Sequence, residues 1–166
     1  MKALVLVAGG DAMLEKAAQQ VLEGAREAGA EVDLLHPGSS LSIEGYQLVL
    51  LGISAYGLSR RMEALSLLAS PKNNLENRQV RVFCVHSGPG KNALEDAKKL
   101  LEERKAVFGG SVLLDAKGLL KHFGKGSLSE GELARAKAFG ERGASHFLGR
   151  RPHLPNEKLQ IPGYRK

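Results

Sequence analysis

The stretch VAGGDAMLEKAA, residues 7–18, closes a short apolar run, crosses two adjacent glycines and opens an amphipathic segment. Upstream, residues 2–7 are apolar and rich in β-branched side chains. Downstream, Met13, Leu14, Ala17, Ala18, Val21, Leu22 and Ala25 recur at the three-and-four spacing of one helix face. A strand that becomes a helix across Gly9 and Gly10 is the opening of a β-α-β unit. The junction also poses a chemical question. Unobstructed backbone N–H groups at a helix start can hold a phosphate, helped by the helix dipole. Asp11 argues the other way, because a carboxylate is itself a good N-cap and repels a dianion. Both readings, phosphate loop and capped turn, stand at this point.

Further along, strand and helix patterns alternate. Gly29 ends the first helix, and residues 31–35 resume a strand pattern that Pro37 and Gly38 stop. Residues 47–53 are continuously apolar, as a strand covered on both faces requires. Met62, Leu65, Leu68 and Ala69 mark a helix closed by Pro71, and a polar loop follows through Asn73, Asn74 and Asn77. Residues 80–86 read as a strand and 92–106 as a helix, with Asn92 and Glu95 as its start signature. Residues 111–115 give a fifth strand. Leu133, Ala136, Gly140, Ala144 and Phe147 line a last helix introduced by Ser129 and Glu132. The expectation is an α/β three-layer sandwich: a five-stranded parallel sheet with helices on both faces, whose ligands bind outside the carboxyl ends of the strands.

A chain of 166 residues supports one core, read as a domain over 1–149 and a basic, proline-containing tail over 150–166. The net charge of +6 sits mostly in that tail, whose five basic residues face Glu157 alone and leave 19 basic against 17 acidic residues in the body. With no tryptophan and no basic groove, this distribution argues against a nucleic-acid partner. No apolar run approaches the roughly 20 residues of a membrane span, and the glycines after Ala8 cut short any signal-peptide core. A cytoplasmic location is expected, in keeping with a single cysteine, Cys84. Leu154, Leu159, Ile161 and Tyr164 make the tail readable either as an arm that builds a homo-oligomer or as a loose extension.

The order of elements and three strand-end segments resemble the flavodoxin-like superfamily of FMN-binding proteins. GISAYG (52–57) is similar to the family loop that reaches over the flavin ring, with Tyr56 at an aromatic position. VHSGPGKNALEDAKKLLEERKA (85–106) resembles the loop and helix that meet the edge of the ring. GSLSEGELARAKAFGERGASHF (126–147) is similar to the last helix of the quinone-reductase and FMN-reductase branch. The resemblance implies the strand order 2-1-3-4-5. It also implies an FMN site built from Gly9, Gly10, Asp11, Ala12 and Met13 in the first loop, Ser54, Ala55, Tyr56, Gly57 and Leu58 in the second, and His86, Ser87, Gly88, Pro89 and Gly90 in the third. A quinone or other small molecule would be the electron acceptor. The AGGDAM loop departs from the family in lacking hydroxyl side chains.

From the residues themselves, Tyr56 just past a buried strand can stack on a flat ring, a contact worth roughly 1 kcal/mol, or pack on its own protein. The glycines of HSGPG allow close backbone approach to a planar ligand. Cys84 lies inside an apolar run and reads as inert. The five histidines show no zinc spacing, and Arg60 with Arg61 reads as a solvated helix start. No G-x-G-x-x-G or G-x-x-x-x-G-K-[ST] motif follows the first strand. Gly52 stands where a phosphate-receiver domain of this topology would carry an aspartate. Two function classes remain: an FMN-dependent oxidoreductase of the quinone- or flavin-reductase type, and a flavin-free protein that uses the fold for binding or assembly.

Overall fold

The computed structural model describes residues 1–36, 40–56, 58–88, 90–118 and 126–149, and of residues 58–60 the backbone alone. Pro37 and Gly38, Gly57 and Pro89 of the candidate loops, His122, and the 150–166 tail with its apolar residues lie outside the described residues.

β1 (Lys2–Ala8) is an interior strand of the sheet, and its residues from Ala3 to Val7 have no solvent exposure. A strand so enclosed cannot alternate polar and apolar side chains, hence its unbroken apolar run. It pairs in parallel with β2 (Glu31–Leu35) on one side, Ala3 opposite Val32. On the other side it pairs with β3 (Leu48–Ser54), Ala3 opposite Leu48. β4 (Gln79–His86) and β5 (Val107–Lys117) continue the parallel ladder, giving the expected order β2-β1-β3-β4-β5. A sixth strand, β6 (Ser127–Leu128), adds an antiparallel stub through Ala116 and Leu128. Two residues carry no periodicity, so the sequence pattern did not reveal it. β5 is longer than its apolar centre suggests because a register shift opposite Val80 to Val82 lets Gly109 and Gly110 join it; Gly110 sits at φ +121°, where glycine is favoured.

α1 (Ala12–Glu27) and α4 (Glu130–Phe147) cover one face of the sheet. α2 (Leu58–Leu68) and α3 (Gly90–Glu103) cover the other. Ser129 caps α4 through Glu132 N at 3.2 Å, as expected, but the Glu132 carboxylate turns instead to the Asp115 amide at 2.9 Å. α3 opens at Gly90 rather than at Asn92, so Asn92 lies within its first turn. Between α1 and α4 the backbones nearly touch: a Cβ on Gly24 would overlap the Lys137 carbonyl, and one on Gly140 the Val21 carbonyl. Lys137 then bridges Glu23 at 3.0 Å and Glu27 at 2.8 Å across the same contact.

Candidate functional site at the carboxyl edge of the sheet

Parallel pairing brings the three expected loops to one edge. Ala8 lies opposite Ile53, Ser54 opposite Val85 and His86 opposite Asp115, so β1, β3, β4 and β5 end together. The Ala55 amide donates to Val85 O at 2.9 Å, tying the second loop to the third.

At the first loop, Asp11 answers the question posed by its sequence. It is the N-cap of α1, with φ −86° and ψ 148°, and its Oδ1 accepts from the Leu14 amide at 2.8 Å while its carbonyl accepts from Glu15 N. Leu14 packs over Gly9, where a Cβ would lie 2.8 Å from Leu14 Cδ2. Gly10 and Ala12 are exposed, and Met13 is buried in the core. The turn is therefore self-capped, and a phosphate dianion placed on it would face the Asp11 carboxylate.

At the second loop, Ser54 is buried and its Oγ accepts from Tyr56 N at 3.2 Å. Ala55 is half-buried and Leu58 opens α2. Tyr56 does not stand clear at the strand end. It is half-buried against the α1/α4 core, and its hydroxyl lies buried without a hydrogen bond of normal geometry. Burial pushes the phenol above its ordinary range; the Ser87 side chain pulls the other way, and the Asp11 and Asp115 carboxylates add to the rise. Tyr56 thus lies within electrostatic reach of groups at the ends of β1, β4 and β5. At the third loop, His86 Nδ1 accepts from Gly88 N at 3.2 Å, and its ring lies where a Cβ on Gly90 would sit, 2.5 Å away. Gly88 adopts φ +152° with open space around it, and Ser87 is half-buried. Ala55, Tyr56, Ser87 and Gly88 lie together at this edge, with Gly88 exposed and the other three half-buried; the self-capped β1–α1 turn, with its Asp11 carboxylate, does not fit the phosphate of FMN.

Three site residues escaped the sequence reading. Asp115 and Glu132 join Asp11 on the α1/α4 side, Glu132 also holding Arg135 at 3.0 Å and 3.1 Å. Arg61, expected on a solvated face, is instead 6% exposed, with Nη1 donating to Ser54 O at 2.9 Å. A helix side chain leans toward the helix N-terminus, and from the first turn of α2 that direction leads under the end of β3. Cys84 is fully buried, and burial pushes its thiol up to about 12 against the opposing pull of Arg61.

No family model matches the chain, and no curated protein matches it. Solved structures do. The two-electron reduced flavodoxin of Megasphaera elsdenii superposes with a TM-score of 0.67 at 18% identity, covering 86% of this chain and 98% of that one. The fold is flavodoxin-like. Oxidised Flavodoxin 2 from Bacillus cereus gives 0.67 at 18% identity, over 89% of this chain and 100% of that one. The WrbA-like flavodoxin of Agrobacterium tumefaciens gives 0.65 at 14%, over 90% and 99%. At such identities the likeness is one of architecture, and a flavodoxin-like sheet can carry unrelated chemistry at its edge. Among the described residues no helix is long and apolar enough to cross a membrane, and no cluster of metal-ligating side chains occurs.

Proposed function

We propose that this chain binds a flavin at the carboxyl edge of its sheet, ring first, and serves in electron transfer as a quinone- or flavin-reductase-like protein. The observation that carries the reading is the meeting of the Asp11, Tyr56 and Ser87 loops at one edge, where ligands bind in doubly wound sheets. Two structural neighbours, an oxidised and a two-electron reduced flavodoxin, agree with redox use of this architecture. A bound flavin would supply the electron chemistry, and the protein would supply a ring shelf. A net charge of +6 favours the reductase-like branch over an acidic electron carrier.

A second reading, a flavin-free protein of binding or assembly role, is favoured by the self-capped β1–α1 turn. Titration of the full chain with riboflavin and with FMN, followed by flavin fluorescence and visible absorbance, separates the two. Saturable binding of riboflavin, about as tight as that of FMN, is expected. If neither flavin is perturbed, the second reading takes its place. Light scattering of a chain ending at residue 150 then asks whether the tail assembles copies.

A further inference from the structure

Arg61 carries a buried charge that no carboxylate among the described residues neutralises. It is 6% exposed; Nη1 bonds the Ser54 carbonyl, and Nε has no acceptor. No carboxylate among the described residues forms an ion pair with it, and Glu157 is the only acidic residue outside them. A guanidinium taken from water without an anionic partner is costly to keep.

The surroundings compound the excess of positive charge. α2 and α3 leave adjacent parallel strands, Ser54 of β3 lying opposite Val85 of β4, and both pack on the same face of the sheet. Their N-termini therefore flank one corner, and Arg61, in the first turn of α2, lies at the ends of both strands: Nη1 bonds the Ser54 carbonyl of β3, and its charge opposes the rise in the Cys84 thiol of β4. Each N-terminus presents unsatisfied amides and partial positive charge. Elsewhere the chain neutralises such ends: α1 has Asp11 and Glu15, and α4 has Glu130 and Glu132. α2 and α3 have no acidic residue in the first turn. They carry Arg60, Arg61 and Lys91 there instead, a placement that opposes the helix dipole and is favourable only with an anion between.

We propose that the β3–α2/β4–α3 corner is an oxyanion site of the phosphate type, held by Arg61 and by the first-turn amides of α2 and α3. This site is separate from the β1–α1 turn, which Asp11 closes to anions. The ligand is a small molecule bearing a phosphate, whose charge completes the pair that Arg61 lacks. The assignment does not depend on flavin binding.

The test uses the full chain and inorganic phosphate at constant ionic strength, followed by amide and Arg side-chain NMR. Saturable shifts are expected at the amides of residues 58–61 and 90–92 and at Arg61 Nε–H, with those of residues 9–14 unmoved. Arg61→Lys keeps the charge but loses the planar donor set, and should weaken binding at least about tenfold; Arg61→Met should abolish it. Should the variants fail to fold, the wild-type shift map decides alone. Absence of saturable shifts, or shifts centred on residues 9–14 or on the arginines of the tail, overturns the proposal. Riboflavin binding is read in a separate, phosphate-free sample by flavin fluorescence, so failure of one site leaves the other standing.

Discussion

Gly140 of α4 sits against the Val21 carbonyl of α1 with no room for a side chain between them. A glycine within an exposed helix costs about 0.5–1 kcal/mol relative to alanine, so Gly→Ala there ordinarily stabilises. Here the added methyl must push two backbones apart, an overpacking cost of about 1–3 kcal/mol. Gly140→Ala should lower the unfolding free energy by about 2 kcal/mol in urea melts. A rise in stability would show that the helices are not in this contact.

Asp11 performs two opposed tasks, fastening α1 and repelling anions. Asp11→Thr keeps a capping oxygen and removes the charge, whereas Asp11→Ala should cost about 1 kcal/mol of stability. A carboxylate a few ångströms from a phosphate costs about 1–4 kcal/mol, depending on exposure. Asp11→Thr should therefore tighten FMN by about tenfold while leaving riboflavin unchanged, as read by calorimetry. If the unmutated chain already prefers FMN to riboflavin by orders of magnitude, the turn is a working phosphate site.

The Cys84 thiol yields an alkaline signature. Its folded value is about 12 against 9.0 for the free group. Between those values the unfolded chain loses this proton and the folded chain keeps it, so the contribution of Cys84 to stability is intact below pH 9.0 and declines as pH rises toward about 12. Cys84→Ala should flatten the fall of stability over that window. Iodoacetamide should label the native protein only as fast as it unfolds.

At the opposite end of the sheet, the Tyr46 hydroxyl donates to Asp33 Oδ2 at 2.8 Å and Lys2 lies 3.3 Å from the same oxygen. Tyr46 first, and Lys2 after it, hold the Asp33 carboxyl below its ordinary value of 3.8. The stabilisation is complete above pH 3.8 and is lost as pH falls through the depressed folded value. Tyr46→Phe should differ from the parent by a constant amount near neutrality, and by less on the acid side in acid-titrated urea melts. A difference independent of pH would mean that the bond does not act through Asp33.

The fold was legible because β1, β3 and β4 are enclosed on both faces and must be written as apolar runs, with helix faces spelled out between them. β6 is too short for any pattern. The start of α3 was displaced because Asn92 and Glu95 mimic a cap two residues inside the helix. At the site, the Asp11 cap could be read from local chemistry alone. Tyr56 could not, since which face it packs on depends on α1 and α4, distant in sequence. Arg61 was misplaced because basic residues at a helix start are ordinarily solvated; the available signal was that Arg60, Arg61 and Lys91 occupy two helix starts with no acid beside them.

The closing of one sheet face by the first and last helices has a consequence for synthesis. Both helices of the α2/α3 side have been made by residue 103, and Phe108 and Leu113 of β5 finish that core, but Ala3, Val5, Leu48 and Phe83 have only α1 over them until residues 130–147 follow. Phe83 meets Phe139 edge to face, with ring centroids 6.3 Å apart, only at that late stage. A nascent chain on the ribosome therefore has one sealed side and one greasy side, the condition in which partly made domains attract chaperones and proteases. A message cut short before codon 130 would yield a half-covered sheet destined for degradation, and a smaller working protein would not result.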